Sequence, residues 1–239
     1  MPARRIPIPA TVFASVILLW WLAGQAGWTN AYLLPAPSAV AVALSDLAAS
    51  GLLLKHTLIS LQRVLLGFAL SVALALPLAV LMSASRPARV LLDPLLEFVR
   101  QVPPLALIPL LILWLGIGEE PKVATIALGV FFSTAISVYS GVDAVPRNLI
   151  RMAQSFNAPF HAIVRRVIWP GALPSILAGF RITASVALLL VVSAEMIGAQ
   201  FGIGAFVLQA GNLMQTDQLL AGVVILSVFG LAVGKLINL

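Results

Sequence analysis

The sequence predicts an all-α integral membrane protein with six transmembrane helices, on three observations. The 239 residues are 61% hydrophobic and only 9% charged, whereas a soluble domain is about a quarter charged. Apolar runs near the roughly 20 residues needed to cross a bilayer recur at Val12–Gly27, Leu58–Met82, Leu95–Leu115, Val123–Val142, Ser175–Ile197 and Leu219–Lys235. The charges between these runs alternate in kind. Arg4, Arg5, Arg86, Arg89, Arg147, Arg151, Arg165, Arg166 and Lys235 fall on one side of an alternating topology. Lys55 and Lys122 fall on the other, beside Asp46, Glu119, Glu120 and Asp217. The positive-inside rule then makes both termini, the Arg86/Arg89 loop and the loop after the fourth span cytoplasmic. The net charge of +6 is an orientation signal, not a nucleic-acid footprint.

The first span follows Met-Pro-Ala-Arg-Arg and is read as retained. Its removal as a signal peptide would reverse the topology of the N-terminal end. The chain after it, 28–55, is an external segment. Ser38 is expected to cap an amphipathic helix through about Ala49, with Val40, Leu44 and Leu47 as its apolar stripe. The second span carries Arg63 near its outer end, expected to snorkel or pair with a helix terminus. It also carries Pro77, which removes a backbone hydrogen bond. After a short cytoplasmic turn, Ser83–Arg89, Asp93 and Pro94 read as the cap and first turn of the third span. Glu97 and Arg100 are placed to pair at i,i+3. Pro103, Pro104 and Pro109 interrupt that span. Broken backbone at membrane depth survives only against protein or a watery cavity, so this segment is expected to face the bundle interior or a pathway through it, with a purely structural kink as the other reading. Glu119 and Glu120 read as a solvated pair, because adjacent carboxylates on a loop do not converge.

The fifth span holds Arg181 near its inner end and Glu195 near its outer end. They are fourteen residues apart, or about 21 Å along a helix, too far to pair. Glu195 has two open roles, lining the pathway or tying down the outer loop. Arg100, Pro103, Pro104, Arg181 and Glu195 are therefore the candidate pathway residues. The glycines from Gly198 to Gly204 follow no strand and precede no phosphate-loop lysine, which excludes nucleotide binding there. The chain has no cysteine and two histidines. His56 and His161 fall on opposite sides, which leaves no metal pair and no thiol chemistry. Neither a catalytic constellation nor a cofactor is expected. Past the sixth span a basic tail would be usual, so a truncation at Leu239 is expected.

The basic, polar island IRMAQSFNAPFHAIVRRVIWPGALP between spans four and five carries the most information. Pro146 can start a helix through Phe156, with Leu149, Ile150, Ala153 and Phe156 as its stripe. Asn157 suits a left-handed turn and can cap a second short helix with Pro159 in its first turn. Arg165 and Arg166 lie near that helix's end, and Pro170 and Pro174 are expected to break the chain before the fifth span.

This island resembles the cytoplasmic coupling loop of ABC-importer permeases, whose pattern is Glu-Ala-Ala, three residues, Gly, nine residues, Ile-x-Leu-Pro. Here Arg151-Met152-Ala153, Asn157 and Val167-Ile168-Trp169-Pro170 hold the same spacing. Arg151 replaces the glutamate, Met152 an alanine, Asn157 the glycine and Trp169 the leucine. The segments LLPAPSAV, LISLQRVLLGFALS, RQVPPLALIPLLILWLGIGEEPK, PGALPSILAGFRITAS and VVSAEMIGAQFGIG extend the resemblance to the permease group serving aliphatic sulfonates, taurine, nitrate and related small anions. It implies the type I importer fold: a permease core over 58–239 with a coupling loop at 143–174, preceded by an N-terminal helix and external segment, 1–57. It also implies an inner-membrane assembly of two permeases (a homodimer or a pair), a cytoplasmic ATPase dimer and a periplasmic or lipid-anchored binding protein. The coupling residues would be Arg151, Met152, Ala153, Asn157, Ala158, Pro159, Phe160, His161 and Pro170. An ion-coupled secondary transporter is the alternative; it usually carries several buried acids and an internal repeat. A membrane-embedded enzyme would need paired catalytic groups at membrane depth.

Overall fold

A computed structural model describes residues 8–30 and 32–237. Arg4, Arg5 and Leu239, on which the N-terminal charge and the expected truncation rest, lie outside them. The elements are α1 (Ile8–Gln25), α2 (Pro37–Ala49), α3 (Leu52–Ala84), α4 (Arg86–Arg100), α5 (Ile108–Leu115), α6 (Glu120–Asp143), α7 (Arg147–Ser155), α8 (Phe160–Ile163), α9 (Trp169–Met196), α10 (Ile203–Asn212) and α11 (Thr216–Ile237).

Four described helices are long and apolar enough to cross a membrane: α3, α6, the continuous helix Phe160–Met196 and α11. A fifth crossing is bent. α4 and the segment Pro104–Leu115 meet at 83°, with Pro103 extended between them. The first expected span, α1, is 18 residues and so about 27 Å long, close to the hydrocarbon thickness.

α3, α6 and α9 form the centre. Without a water-driven force between helices, association depends on close packing of small side chains. Ala75 and Ala79 of α3, Ala135 of α6 and Ala187 of α9 are accordingly sealed. At Gly67 of α3 a Cβ would stand 2.7 Å from the Ile126 side chain of α6, so only glycine permits this crossing distance. A second apolar cluster joins Val40, Ala43 and Leu47 of α2 to Ala221 of α11. The expected external amphipathic helix therefore covers the bundle, with Ala43 buried where the sequence pointed to Leu44.

Several boundaries differ from expectation. Ser38 does not cap α2; the helix starts at Pro37 after an extended Ala36 with no side-chain cap. Proline pre-sets the first-turn backbone without one. Ser83–Arg89 is not a turn, since α3 runs to Ala84 and α4 begins at Arg86, capped by Ser85 Oγ accepting from Ala88 N. Asp93 and Pro94 thus lie inside α4. Pro170 and Pro174 do not break the chain either. α8, the π-helical turn Val164–Ile168 and α9 form one helix, Phe160–Met196. Pro170 has no N–H to give and its ring crowds the carbonyl one turn back, and the wider turn just before it accommodates both. Arg165 and Arg166 consequently sit within a continuous helix and not at a helix end.

Candidate functional site

The two ends of the bundle hold different polar arrangements. At one end, three polar residues of α3 at i, i+4 and i+7, His56, Ser60 and Arg63, share a face of an otherwise apolar helix. All three are buried. Arg63 makes a bidentate pair with Glu119, its Nε on Oε2 and its Nη2 2.7 Å from Oε1. Its Nη1 donates to Glu195 Oε1 at 2.8 Å and to the Phe201 carbonyl at 2.7 Å. Ser60 Oγ donates to the same Glu195 oxygen at 2.7 Å and accepts from Ile203 N at 2.9 Å. The other Glu195 oxygen accepts from Gly204 N at 2.9 Å. His56 Nδ1 lies 3.0 Å from Gly202 N and 2.9 Å from its carbonyl, bonding one or the other according to its tautomer. One guanidinium and two carboxylates thus clamp α3, the start of α6 and the loop between α9 and α10. Gly204 is required there, because a Cβ would run into the Val192 carbonyl.

Glu119 is not merely a solvated loop residue. Its hydrogen bond to Arg63 holds its carboxyl below the usual Glu range, helped by the Arg63 and Lys122 charges and opposed by partial burial. A depressed folded-state pKa means the contribution is complete above the ordinary Glu value, about 4.3, and is lost as pH falls through the lowered one. Melting temperature measured against pH is expected to fall in that acid window for the wild type. Glu119→Gln should flatten that part of the profile, and an unchanged profile would remove Glu119 from the clamp's energetics.

At the other end, α7 closes with Ala158 N bonded to Ala153 O at 3.2 Å and Asn157 N to Gln154 O at 2.9 Å. These two bonds, with Asn157 at φ 53, are a Schellman motif. They explain the spacing of Ala153, Asn157 and Ala158. Pro159 is extended and caps the next helix in place of Asn157. Met152, Phe156 and Phe160 are 55%, 79% and 73% exposed. Arg151, His161 and Pro170 are exposed as well. This hairpin shows apolar tips on a polar, basic scaffold.

Of the candidate pathway residues only Arg100 and Pro104 share a cavity. Arg100 bonds Glu97 as anticipated and lines a cavity of about 190 Å³ with Pro104, Gly129 and Ser133. Pro103 is exposed at the bend. Arg181 is exposed on α9, while Glu195, 1% exposed, belongs to the clamp. Sequence reasoning missed Ser60, His56 and Glu119. The helical spacing of 56, 60 and 63 was the available signal, whereas nothing local links Glu119 to Arg63. Among the described residues no cluster of His, Cys, Asp or Glu could hold a metal ion.

Bilayer-length helices around a small-residue core, with a polar helical hairpin at one end, define a multi-pass membrane protein. Residues 67–239 match the family of the binding-protein-dependent transport system inner membrane component, and the chain belongs to that family. It is 35% identical over 231 residues to the taurine transport system permease protein TauC of Escherichia coli (strain K12), covering 95% of this chain and 84% of that protein. A protein of Bacillus subtilis (strain 168) assigned as the aliphatic sulfonates transport permease SsuC is 37% identical over 217 residues, covering 91% and 79%. A probable ABC transporter permease protein of Brucella melitensis is 40% identical over 226 residues, covering 92% of each. Among solved structures, an amino acid ABC transporter with histidines superposes with TM-score 0.65 at 22% identity, covering 82% of this chain and 95% of that one. The inward-facing MetNI methionine ABC transporter gives 0.62 at 20%, covering 80% and 98%. The chain is therefore the permease component of an ABC importer. The assembly pairs two permeases with a separate ATPase and a substrate-binding protein. The secondary-transporter and enzyme alternatives are set aside.

Proposed function

We propose that this permease and a second copy of it form the pathway for a small sulfonate-, taurine- or nitrate-like anion, delivered by a periplasmic or lipid-anchored binding protein. The division into 1–57 and a core of 58–239 belongs to the same reading. So does an orientation with both termini and the 143–174 loop in the cytoplasm, as the distribution of arginines favours. The hairpin from Arg151 through Asn157 to His161, continuing to Pro170, seats in a groove of the ATPase and carries its closure to the bundle. One observation carries this: three large apolar side chains stand exposed on a turn fixed by its own hydrogen bonds. Such a surface is the anatomy of an interface core inside a polar rim. Arg151, in place of the family's glutamate, offers a cation to an acidic group of the partner.

Co-purification with the adjacent ATPase tests the hairpin. Wild type should retain the ATPase and a deletion of Met152–Ala162 should lose it. Retention by a correctly inserted deletion variant would overturn the assignment. For the substrate, the names of the relatives and the arginine beside the bent span point to an anion. Arg100→Gln is expected to slow uptake about tenfold, the equivalent of one charge-assisted hydrogen bond, with assembly intact. An unchanged rate would take Arg100 out of the pathway.

A further inference from the structure

A cavity of about 680 Å³ lies at the hairpin end of the bundle, between the base of the hairpin and the α3–α4 junction. Ser83, Arg86 and Arg89 at the α3–α4 junction line it, with Tyr139 and Asp143 at the end of α6 and Arg147 at the start of α7. Three guanidinium groups face one carboxylate. Arg89 stands 3.8 Å from Asp143 and lies over the Tyr139 ring at 4.8 Å. Arg86 and Arg147 have no ion-pair partner among the described residues. Two helices also begin at this recess, α4 at Arg86 and α7 at Arg147, and their amide ends add partial positive charge. A separate observation points to a ligand. Tyr139 is 8% exposed, and its hydroxyl is buried with no hydrogen-bond partner. A phenol sealed in this way loses the bonds it had in water unless something in the recess supplies an acceptor.

We propose that this recess binds a phosphate group, with Arg86, Arg89 and Arg147 holding its oxygens and the Tyr139 hydroxyl donating to one of them. Guanidinium forks match the geometry of a tetrahedral oxyanion, and a hydrated ammonium does so less well. The volume is ample for a phosphorylated headgroup. The recess opens where α3 and α6 leave the apolar zone, next to Val90 and Leu91, which are 69% and 71% exposed on α4. That placement favours the phosphate of an anionic lipid of the inner leaflet, since basic pockets between membrane helices take such headgroups. The leaflet assignment rests on the orientation proposed above; the phosphate site itself does not. Because the recess joins α4, α6 and α7, an occupant fixes the base of the hairpin relative to the bent span.

The test uses the assembled transporter, purified in nanodiscs of phosphatidylglycerol or phosphatidylcholine, with native mass spectrometry of retained lipid. Wild type should retain phosphatidylglycerol preferentially. Arg86→Gln/Arg89→Gln/Arg147→Gln should reduce retention well over tenfold, and Tyr139→Phe about tenfold, the low end for one hydrogen bond to a charged acceptor. A parallel titration with inorganic phosphate separates the sources. Phosphate binding that the variants lose, with lipid retention unchanged among them, keeps the site and makes its ligand soluble. Retention of both probes at wild-type levels in the variants overturns the proposal, including the case where the ATPase alone is lost and the arginines serve that subunit. Tyr139→Phe removes one oxygen that bonds nothing inside the protein, so it reads out even where the triple variant does not fold.

Discussion

Glu195→Ala is expected to destabilise the detergent-solubilised protein by about 3 kcal/mol, read as a lowered melting temperature or a shifted denaturant midpoint. The reason is not the strength of one ion pair. Glu195 is 1% exposed and its two oxygens satisfy Arg63, Ser60 and Gly204 N. Truncation strands one guanidinium N–H, the Ser60 hydroxyl proton and a backbone N–H at once, and stranded buried groups are what make such losses large. The value sits at the low end for a buried pair because Arg63 keeps Glu119 and the Phe201 carbonyl. Arg63→Met combined with Glu195→Leu should cost less than the sum of the single changes, leaving a coupling energy above about 1 kcal/mol. The Glu97–Arg100 pair gives the contrast. Its side chains are 54% and 43% exposed, and Glu97→Ala should stay within about 0.5 kcal/mol of wild type. Equal effects at Glu195 and Glu97 would mean that the clamp does not hold this end together.

Asn157→Val should uncouple ATP hydrolysis from transport, while Asn157→Gly should preserve coupling. At φ 53 a β-branched side chain costs roughly 1–2 kcal/mol. That is enough to favour another turn and so to move Phe160 relative to Phe156. Glycine reaches the same backbone freely. The measurement is binding-protein-stimulated ATPase activity against substrate uptake in proteoliposomes. The valine variant should lose about tenfold in uptake per ATP, corresponding to about 1.4 kcal/mol. Full coupling in that variant would show that the left-handed turn is dispensable.

Much of this was legible in the sequence because membrane physics is coarse. A run such as 58–82 has one solution, a helix, so α3, α6, α9 and α11 follow from apolar length alone. Asn157 was legible for a local reason: few residues tolerate its backbone, and the spacing around it counts out the turn. The third span was half legible. Pro103 and Pro104 announced a break, but an angle of 83° depends on what α4 lies against. Pro170 misled because proline disrupts a helix less when a neighbouring turn can widen. Glu119 was misread for a different reason. Its partner lies 56 residues away, and only the packing of α3 on α6 brings Arg63 beneath it. Long-range electrostatic pairings of this kind leave no local pattern.

The helix from Phe160 to Met196 has 37 residues, about 55 Å of rod against a hydrocarbon layer about 30 Å thick. One end is part of the exposed hairpin, and the other ends one residue beyond Glu195. Geometry alone makes this a lever. A tilt of about 5° about one tip sweeps the opposite tip by about 5 Å, more than a hydrogen bond can stretch. The π turn at Val164–Ile168 lies close to the hairpin, so the long arm beyond it runs uninterrupted to the clamp. Displacing the hairpin while keeping every bond to Glu195 therefore requires the rod to pivot at the clamp itself, the π turn to absorb the rotation, or α3 to travel with it.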